Sequence, residues 1–321
     1  MSSYQLRQMQ SADLPAVNRV LSKSFTAARM EEGYRRPYVP LVHLSFLEMY
    51  RSSLPAACLV MEHKHNLIGY AFAHLWGGVG WIGPVSLLPE YQGKHLGREI
   101  MQAVIQALLQ AGAQVIGLET EPRSSRNIGF YSNLGFLPTQ LSLDMVRHVP
   151  PVRTDAHPPA REVFFHSQLG AAEAARAVTE AEALAAALDP CLRLRHEIGL
   201  IHQFGYGDTL YVRREGALAA CVVAHTETYS PEETARHLRI VMLLVHPQHT
   251  ALLAEVPALL LTWAEQKQNT CVTVRTPTRY AHAYRMLLEA GFRIAHAELR
   301  MTLAGYHEQA DPGHCNLMKW E

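Results

Sequence analysis

Between Leu87 and Gln110 the chain reads LLPEYQGKHLGREIMQAVIQALLQ, and the loop Gln92-Gly93-Lys94-His95-Leu96-Gly97 places small and basic residues where a helix begins. A helix start leaves backbone N–H groups unpaired and carries a partial positive charge, so an anion there is held by geometry the backbone already supplies. Lys94 and Arg98 flank the loop and rank first as phosphate partners, ahead of Arg123 and Arg126. Glycine and lysine at a helix start also make plain turns, so the loop alone divides evenly between the two readings. Other reactive residues offer less. His63-Lys64-His65 and His246–His249 have no third ligand in sequence reach, so no metal is expected. The cysteines at 58, 191, 221, 271 and 315 have no CxxC pair and no neighbouring histidine pattern, and no Ser-His-Asp order is recognisable, so covalent catalysis has no support.

The elements that must hold this loop follow from periodicity. Tyr4–Met9 alternates as a strand, and a helix opens at Ser11 and runs through Phe25. After a polar, irregular stretch from Ala27 to Pro40, a second helix is expected at Leu41–Arg51. Strands at Ala57–Glu62, Leu67–Leu75 and Val79–Leu88, joined by turns at His63–Asn66 and Gly77-Gly78, make an antiparallel meander that delivers the loop. Beyond the amphipathic helix come a strand at Val115–Glu121, a short helix at Ser124–Leu134 and an extended segment at Phe136–Arg147.

Residues 148–160, HVPPVRTDAHPPA, hold four prolines and read as a linker. The order of elements then restarts: strand Arg161–Ser167, alanine-rich helix Ala171–Leu188, strands Thr209–Arg214, Ala217–Thr226 and Leu238–Val245, helix Ala251–Gln266, strand Cys271–Arg275, helix Tyr280–Glu289, and extended segments at Phe292–Thr302 and Cys315–Trp320. Pro89 and Pro247 each separate a strand from a long helix, and Gly135-Phe136 and Gly291-Phe292 each close a later short helix, at intervals of 46 and 44 residues. Matched order and spacing point to a tandem duplication.

Composition sets the frame. With 321 residues, 48% of them apolar, the chain can bury two cores. Lys plus Arg equals Asp plus Glu at 29 each and no basic stripe stands out, so nucleic acid is not an expected partner. No uninterrupted apolar run reaches the ~18 residues that span a bilayer, and the N-terminus lacks a signal pattern. A cytoplasmic protein with reduced thiols and no membrane partner is the expectation.

The run VSLLPEYQGKHLGREI, followed by LETEP and then NIGFYSNLGF, resembles the GNAT superfamily of acyl-CoA-dependent N-acyltransferases. That family's loop reads Arg/Gln-x-x-Gly-x-Gly/Ala after a strand ending near a proline, and a later helix ends Tyr-x-x-x-Gly-Phe. The resemblance covers most of 1–147, and the order of elements extends it to 161–321. It implies an α/β fold of two tandem GNAT-like domains, each a twisted, mostly antiparallel sheet flanked by helices: a catalytic domain over 1–149, a proline-rich linker over 150–160, and a degenerate domain over 161–321. Two such halves on one chain are similar to the architecture of mycothiol synthases.

The resemblance also implies acetyl-CoA as cosubstrate, a primary amine as acceptor and direct transfer in a ternary complex. The cofactor-binding residues would be Leu87, Leu88, Gln92, Gly93, Lys94, His95, Leu96, Gly97, Arg98, Ser124, Asn127 and Tyr131, with the thioester carbonyl on the Leu87 N–H and Tyr131 as acid toward the departing thiolate. Removing a proton from the amine, which titrates near ~10.4, is the harder demand at neutral pH. Glu119 and Glu121, two apart on one strand, share a face and are the candidate bases, Glu119 first. Two departures mark the first half: His95 stands where the family has its first glycine, and Ser124 where it commonly has asparagine. In the second half the loop positions become Thr250, Leu253 and Glu255, and the helix positions Leu287 and Tyr280, so acyl-CoA binding is expected to be lost there. That half would then shape the acceptor site or build a homo-oligomer. The alternative function is a non-catalytic acyl-CoA-binding or interaction module.

Overall fold

The computed structural model describes residues 4–150, 162–308 and 311–318. The linker beyond Pro150 and the expected strand start at Arg161 lie outside the described residues. The first half runs β1 (Tyr4–Gln8), α1 (Leu14–Glu31), α2 (Leu44–Ser53), β2 (Leu59–His63), β3 (Asn66–Trp76), β4 (Val79–Leu87), α3 (Leu96–Gln110), β5 (Val115–Thr120), α4 (Ser125–Ser132) and β6 (Phe136–His148). The second runs β7 (Glu162–Phe165), α5 (Ala171–Leu188), α6 (Arg195–Phe204), β8 (Gly207–Arg214), β9 (Ala217–His225), β10 (His237–Val245), α7 (Val256–Gln266), β11 (Cys271–Pro277), α8 (Ala281–Glu289), β12 (Arg293–Leu303) and β13 (Cys315–Met318).

Three elements depart from expectation. α1 continues to Glu31 because nothing in Thr26–Glu31 breaks a helix. α6 went unread, although Leu194, Ile198 and Ile201 have helical spacing and are buried, and Gly205 closes the helix at φ 69°. The single helix expected at Ala251–Gln266 divides into 3-10 turns over Pro247–Ala254 followed by α7, whose start carries Pro257.

The sheets of the two halves merge. Among the described residues, thirteen strands form one sheet in the order β1-β2-β3-β4-β5-β12-β6-β11-β10-β9-β8-β7, with β13 on β10. Strand β12 of the second half lies between β5 and β6 of the first, and β6 lies between β12 and β11. Each half thus completes its sheet with a strand from the other. Helices cover both faces. On one side α3 packs Ile100, Met101 and Val104 against Ala71, Ala73, Ile82 and Ile116; on the other α1 and α2 pack Leu14, Val17 and Leu47 against Tyr70 and Phe72.

Candidate active site

Strands β4 and β5 are parallel neighbours only from Val79↔Val115 to Trp81↔Gly117; beyond that they part, and β5 continues its pairing with β12. Residues from Ile82 to Leu87 therefore form an open edge. Leu88 donates its N–H to Ile68 O at 2.8 Å, toward β3, so strand alternation turns the N–H and C=O of Leu87 toward the gap. The Leu87 C=O accepts from Ser24 Oγ at 3.1 Å and Gln92 Nε2 at 3.0 Å.

The chain then makes a 3-10 turn at Pro89–Tyr91 and enters the loop. Gly93 has φ 73° and His95 φ 62°, both left-handed. Histidine thus takes the backbone angle that glycine adopts without strain. His95 is the N-cap of α3 yet caps nothing with its side chain. The N–H groups of Gly93, Lys94, Leu96 and Gly97 have no acceptor among the described residues, while Arg98 and Glu99 N–H turn back to His95 O. An uncapped helix start with free donors is a site for an anion.

Open edge and loop meet in one cleft of about 620 Å³, whose lining includes Val85, Ser86, Leu87, Gln92, Gly93, His95, Gly97, Arg98, Asn127 and Tyr131, with Phe25 and Ala28 of α1 on the far wall. Gly97 sits where a Cβ would stand 3.3 Å from Phe130 Cζ and 3.6 Å from Leu87 Cδ1, so the absence of a side chain keeps the cleft open. Tyr131 borders the cleft with its ring 5.2 Å from Phe130 and 6.2 Å from Phe136. Ser124 caps α4, its Oγ accepting from Asn127 N at 3.4 Å.

Several expected contacts fall elsewhere. Lys94 Nζ donates to Glu90 O at 2.9 Å and sits 4.9 Å over the Tyr91 ring, outside the lining. Arg98 lines the cleft but donates to Asn133 O at 3.0 Å, tying α3 to the end of α4. Arg126, ranked behind these two, reaches across the mouth to Gln92 Oε1 and pairs with Glu31 at 3.2 Å. The side chains of Leu88, Leu96 and Ser124 are not among the lining residues; Leu96 is core, and Leu88 packs against it.

Glu119 is not placed as a base. Its side chain is 1% exposed, and it accepts from Ser142, from Arg275 at 2.6 Å and from Arg300 at 2.9 Å. Burial alone would raise its carboxyl, but the two guanidiniums and the Ser142 hydroxyl hold it below the ordinary range. Asp144, Glu308 and Arg279 extend the network, which joins carboxylates and arginines from both halves. Glu119 therefore fastens the exchanged strands. Glu121 accepts from Tyr34, whose phenol is pushed up to about 12 by burial and by that bond. Burial and the nearby Glu121 raise the carboxyl of Glu32, which lies one helical turn beyond Ala28.

The second half closes each of these features. β10 runs parallel to β11 from His237↔Cys271 to Ile240↔Val274 and then parts from it, as β4 parts from β5. There Met242–Val245 pairs with β13, so the edge matching the open edge of β4 is filled by the chain's own strand. The matching loop is the 3-10 segment that buries Leu252 and Leu253, and Glu255 pairs with Arg214 at 2.5 Å.

Residues 15–136 match the model of the acetyltransferase (GNAT) family. They form a GNAT acetyltransferase domain. The chain is 21% identical over 112 residues to the N-alpha-acetyltransferase MAK3 of Arabidopsis thaliana, a match over 34% of this chain and 57% of that one. It spans about half or less of the length of the curated relatives it matches. In fold it is similar to a protein of Pyrococcus horikoshii (TM-score 0.69, 14% identity, 100% of this chain and 96% of that one) and to a tandem GNAT protein from the clavulanic acid biosynthesis pathway (TM-score 0.60, 12% identity, 96% and 100%). The fold is thus that of tandem GNAT proteins, with a strand exchanged between the halves. Among the described residues no helix is long and apolar enough to cross a membrane, and no group of three or more His, Cys, Asp or Glu is arranged to hold a metal.

Proposed function

We propose that the chain is an N-acetyltransferase that moves the acetyl group of acetyl-CoA directly to a primary amine, with residues 1–149 catalytic and 161–321 a domain that has given up the cofactor. The observation that carries this reading is the convergence of the open β4 edge and the uncapped start of α3 in one cleft. The loop N–H groups suit the phosphates of the substrate, the edge beside Leu87 suits an extended amide-bearing arm, and the Leu87 N–H suits the thioester oxygen, where charge develops during attack. The amine nitrogen bonds to the carbonyl carbon, the carbon–sulfur bond breaks, and the thiolate departs. Tyr131, on the cleft wall, is the proton donor to that sulfur, while the proton leaving the amine passes to water.

The second half holds the segment between α1 and α2 of the first. His43 N donates to Tyr229 O at 2.8 Å, Phe46 stacks on Tyr229 at 4.3 Å, and Tyr38 donates to Glu232 at 3.1 Å, so the α1–α2 loop is held by the β9–β10 loop. The named relative favours a peptide α-amino group as acceptor. The test is release of coenzyme A from acetyl-CoA in the presence of unblocked peptides, lysine, polyamines and aminoglycosides. Acceptor-dependent release is expected. Binding of acetyl-CoA without turnover across the whole pool would favour a non-catalytic acyl-CoA-binding protein.

A further inference from the structure

Ser86 precedes Leu87 on the open edge, and the two side chains leave the strand on opposite faces. Leu87 pairs with Gly69 and packs among the α3 residues; Ser86 pairs with Tyr70, which packs among Leu14, Val17 and Leu47 of α1 and α2. Ser86 lines the cleft, yet its Oγ is shut off from bulk solvent and has no hydrogen-bond partner among the described residues. A buried hydroxyl without a partner is costly, and one that borders a cleft points to a ligand group that completes it.

We propose that Ser86 Oγ receives the acceptor amine. The proposal rests on the acetyltransferase reading above. In that reading the phosphate cradle and the first turn of α3 lie on the Leu87 side of the sheet, so the acyl donor enters there and its carbonyl reaches the Leu87 N–H. The other side, bounded by Phe25 and Ala28 of α1, is left for the nucleophile. Ser86 is the polar side chain of the β4 edge that faces that side. By accepting one N–H of the neutral amine, it turns the nitrogen lone pair toward the carbonyl carbon held one residue along the strand. It thereby orients an amine it touches, without taking the amine's proton.

The experiment compares wild type, Ser86→Ala and Ser86→Thr, using calorimetry with acetyl-CoA and steady-state transfer to a short peptide with a free α-amino group. Ser86→Ala is expected to leave the acetyl-CoA Kd within about twofold and to lower kcat/KM for the peptide roughly tenfold, mostly through KM, as for loss of one hydrogen bond. Ser86→Thr, which keeps the hydroxyl, should recover most of that loss. A change in acetyl-CoA Kd with the peptide KM unmoved would assign the hydroxyl to the donor and overturn the proposal, as would an alanine variant equal to wild type. A wild-type protein that transfers acetyl to no amine would instead overturn the underlying reading, and the assignment of Ser86 with it.

Discussion

Glu119→Gln separates a structural carboxylate from a catalytic one. At neutral pH the substitution leaves Arg275 and Arg300, 3% and 2% exposed in their side chains, with one negative charge fewer between them. Removing one partner of a buried ion pair costs about 3–5 kcal/mol when the remaining charge is left uncompensated; Arg275 keeps Asp144 and Arg300 keeps Glu308, so the cost lies at the lower end. For a chain of this size that is a fall in Tm of roughly 10 °C at about 2–4 °C per kcal/mol. The same carboxyl is held below its ordinary value in the folded protein, so its contribution is full above the unfolded carboxylate pKa and is lost as pH falls through the lower folded value. The variant should therefore lose the most stability relative to wild type at neutral pH, with the gap closing in acid. Thermal unfolding followed by circular dichroism at several pH values measures this, and transfer assayed well below the variant's Tm measures the catalytic share. An unchanged Tm with kcat down about 10²–10⁴-fold, the loss expected of a general base, would refute the structural assignment.

Tyr131→Phe should keep acetyl-CoA affinity within a few-fold and lower kcat roughly 10²-fold, the effect of losing a positioned acid; an unchanged rate would make the ring a packing residue. His95→Gly removes a left-handed backbone penalty of about 1 kcal/mol, offset by about 0.5–1 kcal/mol of added chain freedom, so stability should barely move and acetyl-CoA affinity should hold or tighten. Weaker binding in that variant would show the imidazole donating to a phosphate.

What the sequence revealed and what it concealed divide by range. The β4–loop–α3 unit was readable because its determinants are local: a proline closing a strand, glycines, and apolar residues at helical spacing from Ile100 to Leu108. His95 was legible as standing at a glycine position, and the structure shows the left-handed angle it takes there. The strand exchange left no local trace, since a strand's alternation says which face is buried and nothing about which strand lies beside it. Glu119 was misread for the same reason. Its partners Arg275 and Arg300 are 156 and 181 residues away, so the carboxylate looked free at the end of its strand. Lys94 fell short for another: a long exposed side chain followed the nearest carbonyl and ring, Glu90 and Tyr91. The strand that pairs along Met242–Val245 comes from the far end of the chain, where no local pattern in the second loop points to it.

Calorimetric titration of the 321-residue chain with acetyl-CoA, for wild type and Gly97→Glu, tests the cleft most directly. The variant puts a carboxylate where a Cβ already meets Phe130 and Leu87, at the loop whose N–H groups are proposed to hold the phosphates. One site per chain in wild type, and loss of binding in a variant whose Tm stays within a few degrees, is the predicted result. Two equivalent sites, or undiminished binding by Gly97→Glu, would contradict it.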